Sequence, residues 1–262
     1  MIFRAGATLI LLILTLSGPA TAAGGKLTYR ISQVTTDPAN HFNPSINDLG
    51  QVGWCVVKGP VYESYSTVLQ ERVLNRSACV AAAGLNLQEM VWAQMVGGYS
   101  QVFSSLRGQI TGGPVHHLNP GVNAAGEIVW VQRVQGKAQI FSSVKGQVTK
   151  DPVYHVQPAL NGRGEIVWVQ RVDVHDQVFS SRRGQLTFSL RDHEQPAIND
   201  AGEVVWIEKL GSYWQVVSSI HGPIIIEPAD HFQPRLNNLG VLVWSQKVGS
   251  YSQIFKAIPE LW

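Results

Sequence analysis

The chain has 262 residues, 45% apolar and 15% charged, with 25 glycines, 13 prolines and a formal net charge of +2. This is the composition of a folded, turn-rich chain with a sizeable core, and it excludes a disordered one. With no basic block, Arg-rich helix or acidic tail, the chain lacks the field that draws a nucleic acid, so no nucleic-acid partner is expected.

In chain order, the first segment carries Arg4, an apolar run from Ala5 to Leu16, the breaker Gly18-Pro19 and the small residues Ala22 and Ala23. It is predicted to be a signal peptide over residues 1–23. The apolar run is short for a bilayer crossing, and a small-x-small cleavage site follows it. Residues 24–262 are then expected to form a single exported domain, periplasmic or extracellular, with no membrane span once the signal is removed. Cys55 and Cys79 are the only cysteines. They allow one pairing, and both a disulfide and two buried thiols remain open.

From Trp54 onward the chain repeats. Trp54, Trp92, Trp130, Trp168, Trp206 and Trp244 stand 38 residues apart without an insertion, and "GEIVWVQRV" occurs at both Gly126 and Gly164. A regular period of this size signals stacked structural units. Pro44, Pro120, Pro158, Pro196 and Pro234 keep the same ruler, as do Asn47, Asn123, Asn161, Asn199 and Asn237. Gly50, Gly126, Gly164, Gly202 and Gly240 form another column, and Phe103, Phe141, Phe179 and Phe255 a fourth. The pattern weakens between residues 68 and 88, where Ala82, Leu85 and Gln88 replace the Pro, Asn and Gly.

One unit predicts four short strands: His155 to Leu160, Glu165 to Arg171, Gln177 to Ser181 and Gln185 to Ser189. "NGRG" turns the first into the second, with Asn and Gly tolerating positive φ. Ile166 and Trp168 alternate with Val167 and Val169, so both faces of the second strand are apolar and both must be covered. A lone four-stranded sheet cannot do this. Radially stacked sheets can, and the predicted fold is an all-β, six-bladed β-propeller of four-stranded antiparallel blades. The tryptophans are expected to fill the spaces between blades, with each indole N–H paired. The last unit ends at its third strand, while residues 28–36 match the tail of a unit, so an N-terminal strand should complete the final blade.

The unit H-x-x-P-x-(I/L/V)-N, turn Gly, "VVW", then "QIF", Gly and Thr resembles the WD40-like or TolB-type propeller repeat (PD40-like repeats), across about residues 33–256. The corresponding stretches include Pro196 to Gly202, Val204 to Ile207 and Gln215 to Val217. The resemblance implies a propeller and spans envelope proteins, peptidase gating domains and secreted proteins of many kinds. The turns depart from that family's Asp-Gly pair. The additional α/β domain of TolB proper finds no room here, which argues against that specific role.

The candidates for chemistry fall in columns of the repeat. His41, His117, His155, His193 and His231 begin the innermost strands and suggest a ring of imidazoles at an axial mouth, against the plainer reading of a repeated hydrogen bond. A symmetric ring does not converge on one ion, so no metal and no cofactor are expected. Glu89, Glu127, Glu165 and Glu203 read as solvated turn residues. Asp37, Asp151 and Asp230 lie between blades without a calcium-loop pattern. No G-x-S-x-G or H-E-x-x-H motif supplies a catalytic centre, and no catalytic residue is assigned. A site needs specific groups, so departures from the repeat carry more information than its copies. Tyr62, Tyr99, Tyr213, Trp214 and Tyr251, in the connections between second and third strands, suggest a one-sided aromatic rim. The expected function is therefore a binding module for a protein, peptide or envelope glycan, rather than an enzyme. The alternative is a hydrolase or lyase using the axial mouth with its histidines, and a third reading is a structural surface-layer component.

Overall fold

The structure is a computed structural model that describes residues 27–58, 61–67, 73–74 and 89–261. The expected signal peptide, Cys79 and the expected innermost strand of the second blade fall outside the described residues.

A first strand, β1 (Leu27–Gln33), precedes six antiparallel sheets. The first blade is β2 (Asn40–Ile46), β3 (Val52–Lys58), β4 (Val61–Ser66) and β5 (Val73–Leu74). The second contributes β6 (Val91–Val96), β7 (Tyr99–Ser104) and β8 (Gly108–Gln109), and the third β9 (His117–Val122), β10 (Ile128–Val134), β11 (Lys137–Ser142) and β12 (Gly146–Gln147). The fourth is β13 (His155–Leu160), β14 (Ile166–Val172), β15 (His175–Ser180) and β16 (Gly184–Gln185). The fifth is β17 (His193–Ile198), β18 (Val204–Leu210), β19 (Tyr213–Ser218) and β20 (Gly222–Ile225). The sixth is β21 (His231–Leu236), β22 (Leu242–Val248) and β23 (Tyr251–Leu261), completed by β1 in the order β1-β23-β22-β21. The six-bladed propeller read from the sequence is the fold of the chain, and the N-terminal strand closes its last blade. Seven residues pair there, from Leu27 with Leu261 to Gln33 with Phe255.

The core lies between blades, as the doubly apolar second strands require. Val129, Val131, Ala138 and Ile140 of the third blade pack on Ile166 and Trp168 of the fourth. Val167 and Val178 of the fourth meet Ile198, Val204 and Trp206 of the fifth. A larger cluster joins the fifth blade to Trp244 and Leu242 of the sixth. In every blade but the fifth, where Val217 takes the place of the ring, the Trp stacks on the aromatic ring of the third strand, for example Trp168 on Phe179 at 6.2 Å and 17°. Its indole N–H donates two residues onward, to Gln94, Gln132, Gln170, Glu208 and Gln246. The first blade has Val56 at that position, and Trp54 Nε1 finds no partner among the described residues.

Each described innermost strand carries a bulge that shifts its register, as between Val156 and Ala159. The residue at its crest is an amide in the left-handed region: Asn43, Asn119, Gln157, Gln195 and Gln233, at φ from 48° to 56°. The Pro column follows immediately, because a bulge on an edge strand is one of the few sheet positions that tolerates a residue without N–H. The turn ending the strand is built by the Asn column. Asn161 Oδ1 accepts the Glu165 N–H at 2.9 Å, Asn161 O accepts the Gly164 N–H at 3.0 Å, and Gly164 has φ 72°.

Candidate functional site

In a propeller the two faces of every sheet look at neighbouring blades. Only bulges, turns and the free edge of the innermost strand therefore meet the axis. These elements enclose an axial cavity of about 810 Å³, within the size range of small-molecule sites.

Three levels of polar groups line it. The bulge amides form a belt that runs from blade to blade. Gln157 Oε1 accepts the Gln195 N–H at 2.7 Å, Gln195 Oε1 accepts that of Gln233, and Gln233 Oε1 accepts that of Asn43 at 2.7 Å. Each of these three glutamines thus satisfies an edge-strand donor that would otherwise face the cavity unpaired. The belt explains why a strained φ, which costs of order 1–3 kcal/mol, persists at these residues. Below it, Asn123 Nδ2 donates to Asn161 O at 2.9 Å, Asn161 to Asn199 O at 3.0 Å, and Asn237 to Asn47 O at 3.0 Å. At the mouth, the next turn residue differs from blade to blade: Asp48, Ala124, Gly162, Asp200 and Asn238. Asn238 Nδ2 lies 2.8 Å from Asp48 Oδ2 and 2.9 Å from Asp200 Oδ2, bridging two carboxylates. A side chain at Gly162 would collide with the Asp200 carboxylate, 2.8 Å from where its Cβ would stand.

Arg235 departs furthest from the repeat. Its column reads Ser45, Gly121, Ala159, Ala197 and Arg235, and it lines the cavity. One guanidinium N–H donates to Pro234 O at 2.9 Å. Burial brings its pKa down to about 10, so it remains a cation at neutral pH.

The histidines lie elsewhere. His41, His117, His155, His193 and His231 are 0–4% exposed and pack 6.0–6.4 Å from the Trp of their own blade, tilted or edge-on. None lines the axial cavity, because the His precedes the bulge and points along a sheet face rather than toward the axis. His41 and His155 reach Asp37 and Asp151 at 2.8 and 3.0 Å. His231 Nδ1 lies 3.0 Å from Trp214 O. His41 also borders a second cavity of about 230 Å³ with Asp37, Trp54, Val56 and Tyr65. Among the aromatic-rim residues, Tyr213 and Tyr251 are exposed, Tyr99 packs against His116 at 5.4 Å, and Trp214 is half-buried against the fifth and sixth blades. The Tyr62 side chain lies outside the described residues. Antiparallel pairing puts these hairpins at the end opposite the Asp48–Asp200 mouth.

The Glu column reverses its expected reading. Glu89, Glu127, Glu165 and Glu203 are buried, not solvated. Each accepts a bond from the third-strand serine, as Ser180 Oγ to Glu165 at 2.5 Å, and three of them also pair with Arg107, Lys145 or Arg183. Burial alone would raise the Glu165 pKa, but the bonds from Ser180 and Arg183 pull it below the usual range. Cys55 is disulfide-bonded.

Burial holds His117, His193 and His231 below the ordinary imidazole pKa, against the hydrogen bonds and carboxylates that favour protonation. An unfolded chain binds protons at these sites below about pH 6.5, where the folded one resists. Stability should therefore be full above that pH and fall as pH drops through it, with a further loss when Glu165 titrates. A melting temperature measured from pH 8 to 4 checks this, and a flat profile between pH 7 and 5 would contradict it.

Among the described residues no three His, Cys, Asp or Glu side chains gather as a metal ion requires, and no helix is long and apolar enough to cross a membrane. No family model matches the chain, and no curated protein does. Solved structures do match. The β-propeller domain of the trilobed protease from Pyrococcus furiosus aligns with TM-score 0.59 at 10% identity, over 87% of this chain and 96% of that one. A gluconolactonase from Xanthomonas campestris aligns with TM-score 0.59 at 12% identity, over 97% and 100%. An acylaminoacyl peptidase from Pyrococcus horikoshii aligns with TM-score 0.55 at 9% identity, over 85% of this chain and 52% of its own length, so the chain spans about half of that protein.

Two expectations are corrected by these matches. The resemblance to WD40-like, TolB-type repeats does not hold, since no family model matches and the structures found include those of peptidases and gluconolactonases. The motifs that suggested it, a Pro on the inner strand and an Asn-to-Gly turn, serve the bulge and the blade turn of this chain. The preference for a non-catalytic module also falls, because the matching proteins are named as enzymes. At these identities the likeness establishes one thing: the chain is a six-bladed β-propeller sharing its architecture with propellers of peptidases and gluconolactonases.

Proposed function

We propose that this propeller is an exported enzyme of the hydrolase type that takes a small polar substrate into its axial cavity. One observation carries the reading. The chain departs from its own repeat at the axis, where Asp48, Asp200, Asn238 and Arg235 replace the small or differing residues of the other blades. Asp48 and Asp200 are the carboxylates best able to take a proton from an attacking water, because they stand at the mouth with no cation paired to them among the described residues, whereas Glu89, the other acid of the lining, is buried and ion-paired with Arg107. Asn238 orients both. The belt of amides offers donors and acceptors to substrate hydroxyl and carbonyl groups. Export belongs to the same reading, supported by the leader-like residues 1–23 and by the disulfide at Cys55, which an oxidising compartment maintains.

The test is hydrolysis of carboxylic esters, lactones and aminoacyl amides by the native protein and by Asp48→Asn and Asp200→Asn. Asparagine keeps an acceptor for the neighbouring N–H groups but loses the basic oxygen. At least one variant should lower kcat about 100-fold or more with the melting temperature little changed. Turnover unaffected in both variants, or no turnover of any class by the native protein, would overturn the reading.

A further inference from the structure

Arg235 is an unbalanced charge. It makes no ion pair among the described residues: its single polar bond is to the carbonyl of the preceding residue, and burial alone accounts for its lowered pKa. Arg235 is partly buried at the cavity wall, and a cation withdrawn from bulk water without a counter-charge costs the fold stability. The other blades show that the position has no need of one, since Ser, Gly and Ala serve there. Arg235 lines the lumen, and a guanidinium is a planar fork of donors that matches two oxygens held in one plane.

We propose that the axial cavity binds a small hydroxylated monocarboxylate, or a substrate that becomes one, with its carboxylate on the Arg235 guanidinium. One negative charge balances one arginine. A dianion would leave an excess charge facing Asp48 and Asp200 at the mouth, so the cavity selects against dicarboxylates and phosphate monoesters. Hydroxyl groups on the ligand suit the amides of Asn119, Gln157 and Gln195, which both donate and accept. The walls between are Pro158, Pro196 and Ala197, which fit a short carbon chain. The inference deepens the proposed function by naming the charge and class of what that cavity holds, and it rests on that reading only for calling the ligand a substrate or product.

Binding is measured by calorimetry, without turnover, using gluconate as the probe, sorbitol as its uncharged counterpart and glucarate as the dianion. Gluconate should bind at least tenfold more tightly than either. Arg235→Met should weaken gluconate at least tenfold and leave the weak binding of sorbitol unchanged. Arg235→Lys, which keeps the charge without the fork, should fall between. The ligand-free Arg235→Met protein should also melt at a higher temperature than the native one, an effect that a structural arginine would not give. The proposal is overturned if Arg235→Met binds gluconate as well as the native protein, if sorbitol or glucarate binds as tightly, if gluconate does not bind at millimolar concentration, or if Arg235→Met melts lower. Binding that survives while hydrolysis is absent removes the hydrolase reading alone. Hydrolysis that survives in Arg235→Met with undiminished KM removes this one alone.

Discussion

A chain beginning at Asp37 should fail to unfold cooperatively, whereas one beginning at Gly24 should melt as a single unit. The shorter chain lacks β1, whose seven residues pair with the last strand. It also loses the Val34 N–H bond to Ile254 O at 2.7 Å, the Thr35 bond to Gln253 at 2.7 Å, and the ion pair of Arg30 with Glu260 at 2.7 Å. Tyr29 and Ile31 leave the cluster that joins the fifth and sixth blades. Each hydrogen bond contributes about 1 kcal/mol net, and domains hold only about 5–15 kcal/mol in total. The loss therefore approaches the whole stability, and it leaves the long edge of β23 open to pairing between chains. Far-UV and near-UV circular dichroism during heating reads the outcome. Adding a peptide of residues 27–36 should restore the cooperative transition, and a native-like melt of the shorter chain would contradict the closure.

Trp244→Ala should cost about 3–5 kcal/mol, the range for a large aromatic removed from a packed core. Trp244 is 1% exposed, stacks on Phe255 at 5.7 Å and donates to Gln246 at 3.1 Å. It sits in the largest inter-blade cluster, where the neighbours are themselves fixed strands and cannot close the gap. Trp54 provides the internal contrast. Its indole N–H has no partner among the described residues and its side chain is half-buried beside a cavity. Trp54→Phe should therefore cost under about 1 kcal/mol. Urea unfolding of both variants compares them directly, and equal losses would mean that the tryptophans do not act as inter-blade filling.

The architecture was legible because it depends on properties that every copy shares. The Trp column fixed the period, and the two apolar faces around Trp168 demanded neighbours on both sides. His155 to Leu160 is a strand with the bounds expected, while the fourth strand shrinks from an expected Gln185 to Ser189 to Gly184–Gln185. The functional surface was less legible because a bulge changes which way side chains point. Strict alternation would carry the residues after His117 or His155 on across the sheet faces. The bulge two residues later turns Asn119 and Gln157 to the axis instead and leaves the histidines against Trp130 and Trp168. An amide before the Pro in every described inner strand was the available signal for that feature. The Glu column was misread for a related reason: adjacency to a turn suggested solvent, but the serine 15 residues later folds back over each carboxylate. Arg235 was visible as the one charge in a column of small residues, yet the sequence does not say that the column faces the axis.

The most direct test of the central claim, that the axial cavity is where this protein meets its substrate, is a crystal structure of Asp200→Asn with a substrate from the hydrolysis panel bound. The account predicts density within the ring of inner strands, between the amides of Gln157, Gln195 and Gln233 and the mouth at Asp48, with a polar group of the ligand on Arg235. Density at the Tyr213 and Tyr251 hairpins, or between blades beside the buried histidines, with the axis empty, would contradict it.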